Sequence, residues 1–94
     1  MIRTVNLIVS GKVQGVYFRF FAQKQARKLG VTGWVRNLAS GEVEIVAQGE
    51  NATLEEMMAW SHKGSLFAKV KHVKITELSE SERFSSFEIK ADAV

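Results

Sequence analysis

The chain contains no cysteine and no proline, and its single aspartate, Asp92, lies close to the C-terminus. Without cysteine there can be no disulfide framework, no thiol nucleophile and no thiolate-bound zinc or iron–sulfur site. The two histidines, His62 and His72, are separated in sequence and have cationic neighbours. We therefore expect neither a metal nor a cofactor.

Long apolar segments are also lacking. The apolar stretches are only a few residues long, whereas a membrane-spanning helix needs about 18 or more. The N-terminus lacks the positive-then-apolar order of a signal peptide. We therefore expect a soluble cytoplasmic protein with no membrane partner. The length of 94 residues and the hydrophobic content of 46% predict one globular domain over residues 1–94, and we expect it to be a monomer.

Negative charge is absent from the first part of the chain. Residues 1–41 contain seven lysines or arginines and no acid, whereas residues 42–94 contain six bases and ten acids, so the formal charges are +7 and −4. A half without carboxylates has a positive field that attracts an anion, either a phosphate compound or a nucleic acid. The same charges are equally well explained as a solvated surface.

Hydropathy patterns predict a series of short elements. Apolar and polar residues alternate from Thr4 to Ser10 and predict a strand. Apolar residues at helical spacing from Phe18 to Leu29 predict an amphipathic helix that Gly30 ends. The remaining predictions are strands at 31–38 and 42–47, a helix that begins with a capping box at Thr53–Glu56 and ends at Gly64, a strand at 68–78 with a bulge near Lys71 and His72, and a last strand containing Phe87 and Ile89.

The order of these elements predicts an α+β domain. It runs strand, helix, strand, strand, helix, strand, with a further strand appended. This order indicates a split βαβ arrangement, an antiparallel sheet with both helices on one face. Many unrelated functions use that architecture, so function must be inferred from the site.

The most distinctive segment is a loop bounded by Gly11 and Gly15, which leads from the first strand into the first helix. Unpaired N–H groups at a helix N-terminus attract anions. Arg19 lies in the first helical turn, where a cation opposes the helix dipole, which favours a bound anion over a solvated surface role. No Lys-Ser or Lys-Thr follows Gly15, and the loop lacks the Gly-x-Gly-x-x-Gly pattern, so nucleotide binding is not supported.

Asn37 is the second candidate site residue. It lies near the end of a strand that we place beside the first strand, so its side chain could face the glycine-bounded loop. An asparagine at a strand end is more commonly a turn former than a catalytic residue. The residues around it must decide between these two roles.

Two motifs together resemble the acylphosphatase family. Val9–Arg19 is similar to the first signature of that family, and Gly33–Asn37, followed by Gly41, Val43 and Gly49, is similar to the second. The resemblance runs from residue 9 to residue 49 at the family's spacing, and the chain length agrees with it. It implies a ferredoxin-like βαββαβ sandwich with an additional C-terminal strand.

The resemblance also implies an activity, the hydrolysis of acyl phosphates to a carboxylate and inorganic phosphate without a metal. Arg19 would bind the phosphoryl group, and the Asn37 side chain would hold the attacking water. Inorganic phosphate, as the product, would also inhibit this hydrolysis. The backbone N–H groups expected to bind the phosphoryl group with the Arg19 side chain are those of Gln14, Gly15, Val16, Tyr17, Phe18 and Arg19. A loose phosphoryl-transfer transition state needs positioning and charge stabilisation, which a permanently charged arginine supplies.

Two other functions fit parts of the sequence. A catalytically silent relative would bind phosphate or a protein partner, but the presence of both Arg19 and Asn37 disfavours it. RNA-recognition domains share the βαββαβ order and stack bases on aromatic residues of the third strand. Here that strand contains Glu42–Val46, which is acidic and has no ring, so we expect no nucleic acid partner.

Overall fold

The computed structural model describes residues 1–79 and 82–93. It contains a five-stranded sheet in the order β4-β1-β3-β2-β5 and two helices. The elements are β1 (Ile2–Lys12), α1 (Phe18–Leu29), β2 (Thr32–Asn37), β3 (Val43–Glu50), α2 (Asn51–Lys63), β4 (Lys69–Leu78) and β5 (Phe87–Ile89). The predicted element order and the ferredoxin-like fold are confirmed. No helix in this described part of the chain is long and apolar enough to cross a membrane.

The core lies between the helices and one face of the sheet. Alternate residues of β1 turn Val5, Leu7 and Val9 inward, where they are fully buried. They belong to one apolar cluster with residues of β3 and of both helices. Phe18 of α1 packs its ring against Trp60 of α2, with 5.2 Å between the ring centroids. This contact joins the two helices on the same face of the sheet.

Helix α1 has the bounds that its hydropathy pattern predicts. Phe18, Ala22 and Ala26, spaced at four residues, form its buried face. Gly30, with φ of 76°, ends the helix in the left-handed conformation, and its N–H donates to the carbonyls of the last turn. Basic residues in that last turn suit the negative end of the helix dipole.

The structure corrects two predictions. Strands β1 to β4 pair antiparallel, but β5 pairs parallel with β2, so the sheet is mixed and not wholly antiparallel. Strand β5 does not pair with β4, because the two strands lie at opposite edges of the sheet and the chain crosses the sheet between them. It pairs instead with β2, in the parallel direction. Along that crossing the Gln48 side chain donates to the Glu82 carbonyl and accepts from the Phe84 N–H, at 2.9 and 3.0 Å.

The second correction concerns the start of α2. The predicted capping box at Thr53–Glu56 is wrong, because the helix begins at Asn51 and Glu50 is its N-cap residue without a side-chain cap. The Thr53 hydroxyl instead donates to the Glu50 carbonyl at 3.0 Å. Strand β3 therefore continues directly into α2, and this junction overrides the local capping signal.

The predicted bulge in β4 is confirmed. Ser10 of β1 lies opposite His72, but its neighbour Gly11 lies opposite Val70. Lys71 is therefore the extra residue of β4.

A glycine is required at position 33, where the backbone of β2 lies very close to the backbone of β3. Its φ is +133°, and an added Cβ would lie 1.9 Å from the Val46 carbonyl oxygen. We expect Gly33→Ala to lower the free energy of unfolding by about 3 kcal/mol or more, because it combines backbone strain with a main-chain clash. Gly41→Ala is the control, since Gly41 also has a positive φ but has no atom within 4 Å of the added Cβ. Denaturant unfolding measures both variants, and equal losses would contradict the clash.

Candidate active site

The loop between β1 and α1 is held in an unusual backbone conformation. Gly15 and Tyr17 both lie in the left-handed region, with φ of 74° and 61°. Tyr17 is the only non-glycine residue with positive φ in the described chain. Such a conformation costs a side-chain-bearing residue about 1–2 kcal/mol. A left-handed residue directly before a helical one turns successive N–H groups to the same side, which makes an anion-binding concavity.

The N-terminus of α1 is open to an external acceptor. The Phe21 N–H donates to the Tyr17 carbonyl at 3.1 Å, but the N–H groups of Phe18, Arg19 and Phe20 have no acceptor among the described residues. The first turn contains no acid, and no side chain caps it. An anion at this end would accept from those N–H groups and interact favourably with the helix dipole.

One cavity of about 420 Å³ lies beside this helix terminus. Its lining combines residues of the loop, of α1, and of the ends of β2 and β5. The lining residues are Val13, Gly15, Tyr17, Phe18, Arg19, Phe20, Asn37 and Ile89. The structure thus brings together five of the predicted site residues, which are Gly15, Tyr17, Phe18, Arg19 and Asn37.

Asn37, the last residue of β2, enters this cavity from the sheet. Its side chain lies on the same face as the buried Val35, and the residue is only 9% exposed. The buried Oδ1 atom accepts no hydrogen bond within residues 1–79 and 82–93. An unpaired buried acceptor costs about 1–3 kcal/mol. A cavity-lining asparagine whose amide oxygen is uncommitted is suited to hold a water molecule or a substrate hydroxyl.

Arg19 has a partner that the sequence reasoning missed. Its Nη1 donates to Oδ1 of Asp92 at 2.8 Å. The C-terminal segment reaches this position because it continues the pairing of β5 along β2. The Lys90 N–H donates to the Val35 carbonyl, and the Ala93 N–H donates to the Asn37 carbonyl, both at 2.9 Å. In the sequence, the only indication of this contact was that the single aspartate follows the last strand. Which residue the aspartate reaches depends on the direction of that strand.

Gln14 and Val16 lie outside the cavity lining, so their binding role through backbone N–H groups stays a prediction. The Gln14 side chain has a structural role. Its Nε2 donates to the carbonyls of Leu38 and Glu42, both at 2.8 Å. This amide ties the loop to the turn that follows Asn37.

Ion pairs weaken the positive field expected of residues 1–41. Within residues 1–79 and 82–93, four of the seven bases in this half pair with acids of the other half. The pairs are Arg3 with Glu77, Arg19 with Asp92, Arg27 with Glu88 and Arg36 with Glu44. The Arg3 guanidinium hydrogen-bonds to Glu77 and lowers the pKa of that carboxyl. Local donor geometry at α1, and not the overall charge, therefore identifies the anion site.

Fold and cavity together define a class of protein. It is an α+β sandwich in which an open helix terminus, an arginine and a strand-end asparagine meet in one cavity.

The comparisons with known proteins agree with this class. The family model of acylphosphatase matches residues 5–89. The acylphosphatase of Marinobacter nauticus is 50% identical over 82 residues, which cover 87% of this chain and 89% of that protein. The crystal structure of the acylphosphatase from Bacillus subtilis is 39% identical, with a TM-score of 0.91 and coverage of 96% of this chain and 99% of that one. An acylphosphatase structure from Coxiella burnetii is 39% identical, with a TM-score of 0.90 over 95% of this chain and 93% of that one. The chain belongs to the acylphosphatase family.

The role of Gln14 as a tie can be tested by substitution. We expect Gln14→Leu to lower the free energy of unfolding by about 1–2 kcal/mol, because two carbonyls lose a donor. Phosphate binding should weaken too, because the loop and Asn37 lose their common anchor. Denaturant unfolding and the rise in Tm with added phosphate measure the two effects. Gln25→Leu, in the middle of α1, is the matched control, and equal behaviour of the two variants would refute the tie.

Proposed function

We propose that residues 1–94 act as one unit that hydrolyses acyl phosphates to a carboxylate and inorganic phosphate. One observation carries the proposal: Phe18, Arg19, Phe20 and Asn37 line the same cavity, and within the described residues the N–H groups at the start of α1 and the Asn37 Oδ1 have no hydrogen-bond partner. Membership of the acylphosphatase family supports it.

The helix terminus and Arg19 would bind the phosphoryl group. Its three non-bridging oxygens would accept from the N–H groups of Phe18 to Phe20 and from the Arg19 guanidinium. Arginine suits this role because it stays charged and offers two parallel N–H donors to two oxygens of the same phosphoryl group. Donors held in place by the fold stabilise the charge on those oxygens without reorganisation in the transition state.

Asn37 would position the attacking water. Its Oδ1 accepts one water hydrogen, which directs the oxygen lone pair towards phosphorus. The new bond joins the water oxygen to phosphorus, the bond from phosphorus to the acyl oxygen breaks, and its electron pair leaves with the carboxylate. A water proton passes to a phosphate oxygen. Because a carboxylate is a stable leaving group, the reaction requires neither a general acid nor a metal.

We further propose that the protein acts as a cytoplasmic monomer. The absence of cysteine is compatible with a reducing compartment. The helix terminus, Arg19 and Asn37 that the proposed reaction uses all lie in one chain, so the reaction as proposed needs no group from a second copy.

Arg19 can be tested by a charge-conserving substitution. We expect Arg19→Lys to retain little hydrolysis of benzoyl phosphate in excess chelator, because lysine keeps the charge but loses the forked donor geometry. Arg36→Ala is the control, since Arg36 pairs with Glu44 away from the cavity. Near-normal turnover by Arg19→Lys would contradict the two-donor role.

Asn37 should affect turnover more than affinity. We expect Asn37→Ala to lower kcat by about 10²- to 10³-fold, as for the loss of one preorganised group, with a smaller change in KM. Asn6→Ala is the control, because Asn6 is a strand residue whose amide bonds Glu44 outside the cavity. Steady-state kinetics separates the two parameters, and a change mainly in KM would refute the positioning of water.

Inorganic phosphate should compete with the substrate. As the product it would occupy the N–H groups of α1 and the Arg19 side chain. We expect competitive inhibition that Arg19→Ala weakens. Initial rates over a grid of substrate and phosphate concentrations test this, and uncompetitive inhibition or none at all would place the phosphoryl site elsewhere.

A further inference from the structure

Three apolar side chains at the cavity have no part in the proposed hydrolysis. Tyr17, Phe20 and Ile89 line it together with Arg19 and Asn37. They are 74%, 55% and 40% exposed. Exposed apolar residues that cluster beside polar groups mark ligand or partner sites. We call these three residues the apolar wall.

The apolar wall is preformed. Tyr17 is the N-cap residue of α1, and Phe20 lies in the first turn of the same helix. The Phe20 ring packs edge-on against Phe21, with 5.2 Å between centroids and an interplanar angle of 81°. Ile89 is held opposite Val35 by the pairing of β5 with β2. A ligand would therefore meet a surface that needs little ordering on binding.

Charge around the cavity disfavours a second anionic group on the ligand. Among the described residues that line the cavity, Arg19 alone is charged, and Asp92 already accepts a hydrogen bond from it. Lys24 and Arg27 line a separate groove, which shares only Phe20 with the cavity among the described residues. An acyl group with its own carboxylate or phosphate would gain no second cation from the described residues that line the cavity.

The size of the cavity indicates what the wall binds. Its volume of about 420 Å³ falls within the range of roughly 300–1,000 Å³ typical of pockets for small organic ligands. A phosphoryl group held at the helix terminus would fill only the polar part. The remaining lining is aliphatic or aromatic.

We propose that the apolar wall determines specificity for the acyl end of the substrate. This inference rests on the proposed hydrolysis of acyl phosphates, and it names the class that the site favours: acyl phosphates whose acyl group is uncharged and apolar, such as an aryl or branched alkyl group. The phosphoryl group lies at the start of α1, and the acyl group packs against Phe20, Tyr17 and Ile89.

The test compares three substrates, benzoyl phosphate, acetyl phosphate and succinyl phosphate. Because their intrinsic reactivities differ, the readout is kcat/KM of a variant relative to the unaltered protein on each substrate. We expect Phe20→Ala to lower kcat/KM for benzoyl phosphate about tenfold, which is the size of loss typical when a substrate loses apolar contacts in a pocket. For acetyl phosphate the loss should be several-fold smaller, because the substitution keeps the Phe20 backbone N–H and a methyl group contacts little of the wall.

Phe67→Ala is the matched control. Phe67 is 65% exposed, precedes β4 and does not line the cavity. It should change none of the three ratios.

Phe20→Lys adds a second test, because a cation in the wall should improve kcat/KM for succinyl phosphate relative to acetyl phosphate. Both Phe20 variants should fold, since more than half of that side chain is exposed, and Tm checks this.

The outcomes separate the two proposals. Equal losses on benzoyl and acetyl phosphate in Phe20→Ala would overturn the specificity role and leave the hydrolysis standing. A similar loss on benzoyl phosphate in Phe67→Ala would also overturn it. Failure of the unaltered protein to hydrolyse any of the three substrates would overturn the proposed function, and the specificity role with it.

Discussion

Strand β2 is hydrogen-bonded on both sides, antiparallel to β3 and parallel to β5, and the geometry of the site depends on this position. It places Asn37 at the end of the sheet nearest the start of α1. It also guides the C-terminal segment, so that Ile89 reaches the cavity and Asp92 reaches Arg19. The close approach of β2 to β3 at Gly33 makes this position sensitive to a single added methyl group.

The cavity gathers groups that are unfavourable in the isolated protein. Tyr17 is left-handed, and among the described residues three backbone N–H groups at the start of α1 have no acceptor and the buried Asn37 Oδ1 has no donor. Surrounding packing holds them there, because Val13 and Phe18 on either side of the loop are fully buried. In the proposed complex, the N–H groups and the Asn37 Oδ1 would gain partners from the bound anion and a water molecule. This is the preorganisation that a charge-stabilising site requires.

Local signals predicted much of this arrangement. The helical spacing of the apolar residues in Phe18–Leu29 and the glycine after them were sufficient to predict α1. In β4 the apolar residues change from one face to the other between Val70 and Val73, which indicated the bulge near Lys71 and His72. The helix-terminus argument identified Arg19, whereas Asn37 needed the family resemblance, because an isolated strand-end asparagine has an ordinary explanation. Both residues line the same cavity.

Long-range features could not be predicted. Strand β5 has only three residues, too few for a hydropathy pattern to indicate its direction. The contact of Asp92 with Arg19 spans 73 residues and follows from that direction. The tie between Gln14 and the turn after β2 likewise depends on a loop conformation that no residue pattern encodes. At α2 a plausible capping signal was overridden by the direct continuation of β3.

The central claim is that a phosphoryl group binds at the start of α1 beside Arg19 and Asn37. A titration of the ¹⁵N-labelled protein with inorganic phosphate, followed by two-dimensional NMR, tests this claim residue by residue. We predict saturable shifts that are largest for the backbone N–H groups of residues 15–20 and for the Asn37 side-chain amide. Shifts that are largest elsewhere, for example at the lysines of β4, or no saturable shift at all, would contradict the account.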